Sequence, residues 1–203
     1  MSDQKRPYRM KQRAASQEAT RLRITESAVE LHGLLGPSQT TMAAVAERAG
    51  VRRSTLYRHF PDEEALFDAC SAHWYAQHPP PRLEGWAEVA DPQERLVTAL
   101  SELYAWYRDA GPMLDHLIRD ETLVASVGRR FSGFHRLLAA ARELLLEGRG
   151  LTGRRRAAVG AAIAVSLQFE TWRAACRDGG LGDREAAALF ARLVAAAGSG
   201  DPA

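Results

Sequence analysis

The 203-residue sequence has only two cysteines, Cys70 and Cys176, and neither lies in a CxxC pattern. A disulfide framework and a structural zinc site are therefore not expected. The longest uncharged apolar stretch, residues 157–169, is 13 residues long, whereas a membrane-spanning helix needs about 20. No apolar segment follows the basic N-terminus, so no signal peptide is expected. These absences favour a soluble, reduced, cytoplasmic protein with no membrane partner.

Strand patterns and enzyme motifs are missing as well. No segment alternates apolar and polar residues, which argues against a sheet. There is no GxSxG, no HExxH and no glycine-rich phosphate loop, and the histidines are scattered singly. We therefore expect an all-α protein of eight or nine helices, which is not an enzyme and carries no cofactor.

Charge is distributed unevenly along the chain, although the net charge is only +2. Residues 1–60 contain 11 Lys and Arg against 5 Asp and Glu, and residues 61–203 contain 16 against 20. Most of the basic excess lies in residues 1–23, with 7 basic and 2 acidic side chains. This pattern indicates that the N-terminal part meets a polyanion.

Helix and turn signals divide the chain into three parts. Residues 1–17 read as a basic flexible arm, and a helical pattern begins at Gln17. The triple proline 79–81 is the best boundary between domains, because proline cannot continue a helix. We predict a first helical domain over 18–78 and a second helical domain over 82–198. In the latter we expect a helix from Asp91-Pro92 to about Ala110, a break at Gly111-Pro112, and further helices over 123–147 and 154–177 and after Asp183 as cap.

Residues 42–60 have the pattern of a helix-turn-helix. Thr41 is a suitable N-cap for a short helix, Gly50 suits a left-handed turn, and Asp62 caps the helix that follows. Leu56 and Phe60 fix the second short helix to the core, which leaves an outer face of hydrogen-bond donors that a major groove accepts. That face consists of Arg52, Arg53, Ser54, Thr55, Tyr57, Arg58 and His59.

The runs TTMAAVAERAGV (40–51), STLYRHF (54–60) and EALF (64–67) resemble the DNA-binding domain of TetR-type (TetR/AcrR) transcriptional regulators. The resemblance covers about residues 18–78. It implies a three-helix N-terminal DNA-binding domain and a C-terminal helical bundle that dimerises and binds a small molecule. It also implies a homodimer, usually a repressor, on a palindromic double-stranded DNA operator.

Position by position, the resemblance implies phosphate contacts for Thr41, Tyr57 and His59, and base contacts for Ser54 and Thr55. Three residues depart from the family pattern. Arg52 stands where a small capping residue is usual, and Ser54 stands where glycine is frequent. Glu63 replaces a common phosphate-binding lysine, which puts a like charge near phosphate.

The second domain offers candidates for an apolar ligand pocket. Ordinary core is the better interpretation for any single one of them, but we expect that some subset lines a pocket. The candidates are Trp106, Tyr107, Met113, His116, Phe131, His135, Phe169 and Trp172. His116, Asp120 and Glu121 could hold a metal, but with no second histidine nearby a surface ion pair is the better interpretation, and we expect no metal.

We place dimerisation on the last two helices. The earlier one is rich in small residues over 157–164, with Ile163 and Leu167 as anchors, and the last carries an apolar stripe over 186–194. The leading hypothesis is a repressor that leaves its operator when a small molecule changes the spacing of the two recognition helices. The alternatives are a helical protein-interaction module and, with less support, a helical enzyme.

Overall fold

The computed structural model describes residues 5–199, with side chains from Met10 onward. All regular structure in this range is helical, which confirms the predicted all-α class. A 3-10 turn lies at Pro37–Gln39 and a π-helical turn at Arg173–Asp178. The α-helices are α1 (Lys5–Leu34), α2 (Met42–Arg48), α3 (Arg53–His59), α4 (Glu63–Gln77), α5 (Leu83–Ala87), α6 (Pro92–Asp120), α7 (Ala125–Leu146), α8 (Gly153–Ser166), α9 (Phe169–Trp172) and α10 (Asp183–Ser199).

Helix α1 is longer than predicted. It begins at Lys5, so the predicted start at Gln17 is wrong and residues 5–16, assigned to the flexible arm, are helical. Lys, Arg, Gln, Ala and Met are strong helix formers, and Pro7 lies in the first turn, where its missing N–H costs nothing. Residues 1–4 of the predicted arm lie outside the described residues.

The chain forms two compact units. The first contains the residues up to Gln77 together with Asp115–Gly128, and the second contains His78–Leu114 and the residues from Arg129 onward. The predicted domain ranges differ from these units, because residues 115–128 belong with the helix-turn-helix. Polar contacts of Arg119 and Asp120 with residues 35–38 hold this segment in the first unit.

The first unit has a core between α1 and α4, with α2 and α3 against it. Its fully buried side chains include Ile24, Val45, Leu56 and Phe60. Leu66, Phe67, Cys70 and Trp74 lie on one face of α4 and are buried.

In the second unit, α6 does not break at Gly111-Pro112 as predicted but continues through it. A proline inside a helix costs about 3 kcal/mol, whereas burying one large apolar side chain recovers about 1.5–3 kcal/mol. Pro112 is exposed, while Met113 and Leu114 beside it are buried. The burial that follows the proline therefore offsets its cost.

The single helix predicted over 154–177 is also wrong. The chain leaves α8 at Ser166, and α9 begins at Phe169 and passes into the π-helical turn. The buried Tyr104 and Tyr107 hydroxyls donate to the Ser166 and Leu167 carbonyls at 2.7 and 2.6 Å. Because these bonds replace those that a continuous helix would make, they stabilise the interruption.

Asp183 is the first residue of α10 rather than its predicted cap. Its carboxylate accepts hydrogen bonds from Arg108 at 2.7 and 2.8 Å and from the Trp172 indole at 3.0 Å. The Glu185 carboxylate instead accepts the Gly182 amide at 2.8 Å. A short-range capping signal at Asp183 is thus overridden by partners distant in sequence.

Candidate nucleic-acid interface

The turn between α2 and α3 has the local geometry that its residues predict. The Thr41 hydroxyl accepts a hydrogen bond from the Ala44 amide at 3.2 Å and so caps α2. Gly50 has a φ of +64°, a conformation that glycine adopts without steric cost. The Val51 amide then bonds to the Ala46 carbonyl at 2.9 Å and closes the turn.

Helix α3 has one buried and one exposed face. Leu56 and Phe60 have no exposed surface. Most of the predicted outer residues are exposed, namely Arg52, Arg53, Ser54, Tyr57 and Arg58, while Thr55 and His59 are half-buried. Arg52 occupies the N-cap position without making a side-chain capping bond, as its departure from the usual small residue leads one to expect. The exposed set presents three guanidinium groups and a phenol on two turns of helix.

Two arginines of α1 hold the ends of both short helices. Arg21 donates to the His59 carbonyl at 2.8 Å, and its guanidinium lies 4.2 Å from the centre of the Phe60 ring. Arg23 donates to the Ala49 carbonyl at 3.0 Å. Cations are favourable at helix C-termini, because the unpaired carbonyl groups there carry partial negative charge. In the sequence analysis both arginines count only toward the charge of residues 1–23. No pattern in the neighbouring sequence predicts their bonds to carbonyl groups that are 38 and 26 positions away.

His59 lies in a groove on the same side as these contacts. The groove is lined by Ala14, Gln17, Glu18, Arg21, Arg58 and His59. The His59 Nε2 atom is buried and has no hydrogen-bond partner among the described residues. Burial lowers the pKa of His59, and the cations Arg58 and Arg21 lower it further. The imidazole is therefore neutral near pH 7.

Two further charges near α2 and α4 modify the predicted interface. Arg48 forms an ion pair with Glu30, so its guanidinium is engaged within the chain. Glu63 begins α4 and shares a small cavity with Thr41. Glu63 therefore places a negative charge close to Thr41, which is predicted to contact a phosphate.

The candidate pocket residues are only partly brought together. Six of the eight are buried in the second unit. Among them, rings pack on one another at centroid distances of 5.3–5.6 Å for Trp106–Tyr107, Tyr107–Phe169 and Phe169–Trp172. Phe131 joins this group through Phe134, which sequence reasoning left out of the pocket. Met113 is buried, whereas His135 is exposed with its ring 5.3 Å from Phe131. His116 belongs to the first unit.

The metal alternative finds no support in the part of the chain that the structure describes. Asp120 is fully buried and accepts hydrogen bonds from Arg119 and the Ser38 amide. Within the described residues, no group of three or more His, Cys, Asp or Glu side chains could hold a metal ion.

Helices α8 and α10 pack on each other. Ile163 and Leu167 are buried within the chain, while Val165 and Leu193 are 57% and 52% exposed. The small residues Ala157, Ala158 and Ala161 are exposed beside them. This pair of helices thus has an inner apolar face and an outer one.

No described helix is both long and apolar enough to cross a bilayer.

Two compact helical units, the first carrying a helix-turn-helix with a basic outer face, define a class of two-unit helix-turn-helix proteins. Residues 24–70 match the family model described as bacterial regulatory proteins, tetR family. The match covers the helix-turn-helix of the first unit and confirms the resemblance drawn from residues 40–67.

Solved structures share this fold over most of the chain. A TetR-like transcriptional regulator from Rhodococcus sp. RHA1 is 21% identical, with a TM-score of 0.60, and the match covers 90% of this chain and 97% of that one. NalD of Pseudomonas aeruginosa is 20% identical, with a TM-score of 0.59 and coverage of 90% and 96%. PfmR of Thermus thermophilus is 21% identical, with a TM-score of 0.58 and coverage of 84% and 96%. No curated protein sequence gives a significant match.

Proposed function

We propose that this protein is a DNA-binding transcription regulator. It recognises a palindromic operator as a homodimer and represses transcription until a small molecule binds its second unit. The observation that carries the proposal is the exposed face of α3, which combines Arg52, Arg53, Ser54, Tyr57 and Arg58 on a helix held from behind by Leu56 and Phe60.

The chemistry of this face suits the major groove. A guanidinium can bond to O6 and N7 of guanine together, and hydroxyls can bond to either kind of base pair. Arg53 and Arg58 extend from the helix, whereas Arg48 is held by Glu30. Thr41, Tyr57 and His59 are then available to position the domain on phosphates, which fix register without reading sequence.

The outer face of α8 and α10 supports the homodimer. Exposed large apolar side chains such as Val165 and Leu193, with small residues between them, are typical of a helix-helix interface. Two recognition helices on a two-fold axis would read half-sites about one DNA turn, or a multiple of it, apart.

The effector proposal depends on the aromatic side chains of the second unit. Trp106, Tyr107, Phe131, Phe169 and Trp172 are buried together with Met113, and rings of this kind line sites for flat apolar ligands. His116 does not join this group, and His135 lies at its exposed edge. Repression and release by ligand rest on the family resemblance.

Operator binding is tested with labelled fragments of the DNA around the protein's own gene, first by gel shift and then by fluorescence anisotropy on the selected duplex. We expect selective binding by a dimer. Arg53→Ala and Tyr57→Ala should each lower operator affinity about tenfold or more, because one good base or phosphate contact contributes about 1–3 kcal/mol.

The matched control is Arg82→Ala, which removes the same charge from an exposed position in the second unit and should leave operator affinity within about twofold. Light scattering and circular dichroism check dimer mass and helicity. Equal affinity for operator and random duplex would reject the proposal. Binding that hardly changes with salt would favour the protein-interaction module, because phosphate contacts make DNA binding fall steeply with salt.

A further inference from the structure

Two side chains from the end of α6 hold the turn between α1 and α2. The Asp120 carboxylate accepts the Ser38 amide at 2.9 Å, and Arg119 donates to the Leu35 carbonyl at 2.9 Å. We call these four groups the 119–120 clamp. All four belong to the first unit.

The two side chains of the clamp also bind each other. Arg119 Nε lies 2.7 Å from one Asp120 oxygen and Nη2 lies 3.1 Å from the other. Asp120 has no exposed surface. Burial alone would raise the pKa of Asp120, but the hydrogen bonds from Arg119 and Ser38 outweigh it and hold that pKa below its ordinary value. The carboxylate is thus ionised and fully engaged.

Gly36 makes room for the clamp. Its φ of +91° is one that other residues rarely adopt, and an added Cβ would lie 2.1 Å from Arg119 Nη2 and 2.7 Å from Asp120 Oδ2. The guanidinium and the carboxylate therefore lie directly against the backbone of the turn.

From the turn, short-range bonds continue to Thr41. The Thr40 amide bonds to the Pro37 carbonyl at 3.2 Å, and its hydroxyl donates to the Gly36 carbonyl at 2.8 Å. Thr41 follows at once and caps α2. These bonds connect the clamp to the exposed Thr41 side chain and the start of α2.

We propose that Arg119 and Asp120 are positioning residues for operator binding, which act through the turn at 35–40 on Thr41 and α2 without contacting DNA. The inference rests on the proposed function. Specific binding needs Thr41 and the outer face of α3 in one fixed register, whereas non-specific binding depends on the number of phosphates neutralised and tolerates small displacements.

The test compares affinities for the operator and for a random duplex in two variants. Asp120→Asn keeps the shape and an acceptor for Ser38 but removes the charge that Arg119 binds. Arg119→Met keeps the side-chain length but removes the donor to Leu35. Each should lower operator affinity about tenfold, the size expected for hydrogen bonds to a charged group, and leave affinity for the random duplex within about twofold.

Double-mutant cycles locate the effect. Because the clamp acts through Thr41, Asp120→Asn and Thr41→Ala should be non-additive in operator affinity, whereas Asp120→Asn and Arg53→Ala should be additive. Full additivity with Thr41→Ala would overturn the proposal. Equal losses on both duplexes would also overturn it, since they would show general destabilisation.

Hydrogen exchange at the Ser38 amide tests the clamp without DNA. We expect faster exchange in Asp120→Asn than in the unmodified protein, and unchanged exchange would contradict the clamp. If Asp120→Asn fails to fold, as judged by circular dichroism, Arg119→Lys serves instead, because it keeps the cation and removes the paired geometry. If the Ser38 amide exchanges faster in Asp120→Asn but the unmodified protein prefers no operator over random duplex, the clamp is supported and only the proposed function is rejected.

Discussion

The first unit buries His32, Cys70 and Asp120 among polar contacts, whereas the second unit buries aromatic rings that pack on one another. In the first, His32 Nδ1 lies 3.4 Å from Cys70 Sγ, and Asp120 bonds to the turn at Ser38. In the second, the two buried tyrosine hydroxyls hold the break between α8 and α9. The first unit thus uses single polar contacts to join α1 to α4 and to hold the turn before α2, and the second unit relies on packed ring area.

This difference suggests how each unit responds to change. A hydrogen bond lost from the first unit leaves a particular buried polar group without its partner, at a cost of about 1–3 kcal/mol. Rings in contact can shift together with small changes in energy, since each ring pair contributes only about 0.5–1.5 kcal/mol beyond its burial. The helix-turn-helix therefore favours fixed geometry, and the second unit favours small adjustments among its packed rings.

The largest effect should come from Gly36→Ala in the first unit. A side chain there adopts an unfavourable φ and also meets Arg119 and Asp120, so we expect a loss of about 3 kcal/mol or more in the free energy of unfolding. Gly180→Ala in the second unit is the control, because Gly180 has a φ of +75° with nothing within 4 Å of the added Cβ. Urea unfolding should show a loss of only about 1–2 kcal/mol there. Equal losses in the two variants would mean that the contacts with Arg119 and Asp120 add nothing to the cost of Gly36→Ala.

The next effect is a pH dependence carried by His32. Burial lowers its pKa from 6.5 to about 4, and the nearby Asp120 only partly opposes this shift. The unfolded chain binds the extra proton below about pH 6.5, so stability should fall as the pH drops from about 6.5 to about 4, by about 3 kcal/mol in all. The pKa of Asp120 lies below its ordinary 3.8. Protonation of Asp120 therefore lowers the stability only at pH values below the range in which His32 acts.

Urea unfolding of the unmodified protein and of His32→Gln across this pH range measures the effect. The variant should lack most of the slope. An unchanged slope would assign the pH dependence to other groups and would weaken the contrast between the two interiors.

The smallest effect should come from Tyr107→Phe in the second unit. Loss of the hydroxyl leaves the buried Leu167 carbonyl without this donor, and we expect a cost of about 2 kcal/mol. Tyr104→Phe is the matched variant, because Tyr104 makes the equivalent bond to Ser166. Thermal unfolding checks both. No loss in either variant would show that the tyrosine hydroxyls do not stabilise the break.

Sequence reasoning succeeded where signals are local. The caps by Thr41, Asp62 and Asp91 are present, with amide-to-oxygen distances of 3.2, 2.8 and 2.8 Å. Gly50 turns the chain as predicted, and the periodicity of α3 separates its buried and exposed faces. Each of these features depends on residues within one turn of each other.

It failed where distant residues decide the outcome. Asp120 and Ser38 are 82 positions apart, and Tyr104 and Ser166 are 62 apart. A proline in the middle of α6 reads as a break, because the burial that offsets it depends on the tertiary fold. Leu35 is apolar but 41% exposed, while the polar His32 is buried. No pattern within the sequence distinguishes such outcomes before the helices are packed.

The arginine contacts of α1 bear on the transfer of this helix-turn-helix to another scaffold. The last carbonyl of α3 is bonded by Arg21, and the end of α2 is bonded by Arg23. A transplanted pair of α2 and α3 would leave these partners behind, and the final turn of each helix would lose a charged cap. In this protein the transferable module is therefore α2 and α3 together with the segment of α1 that contains Arg21 and Arg23.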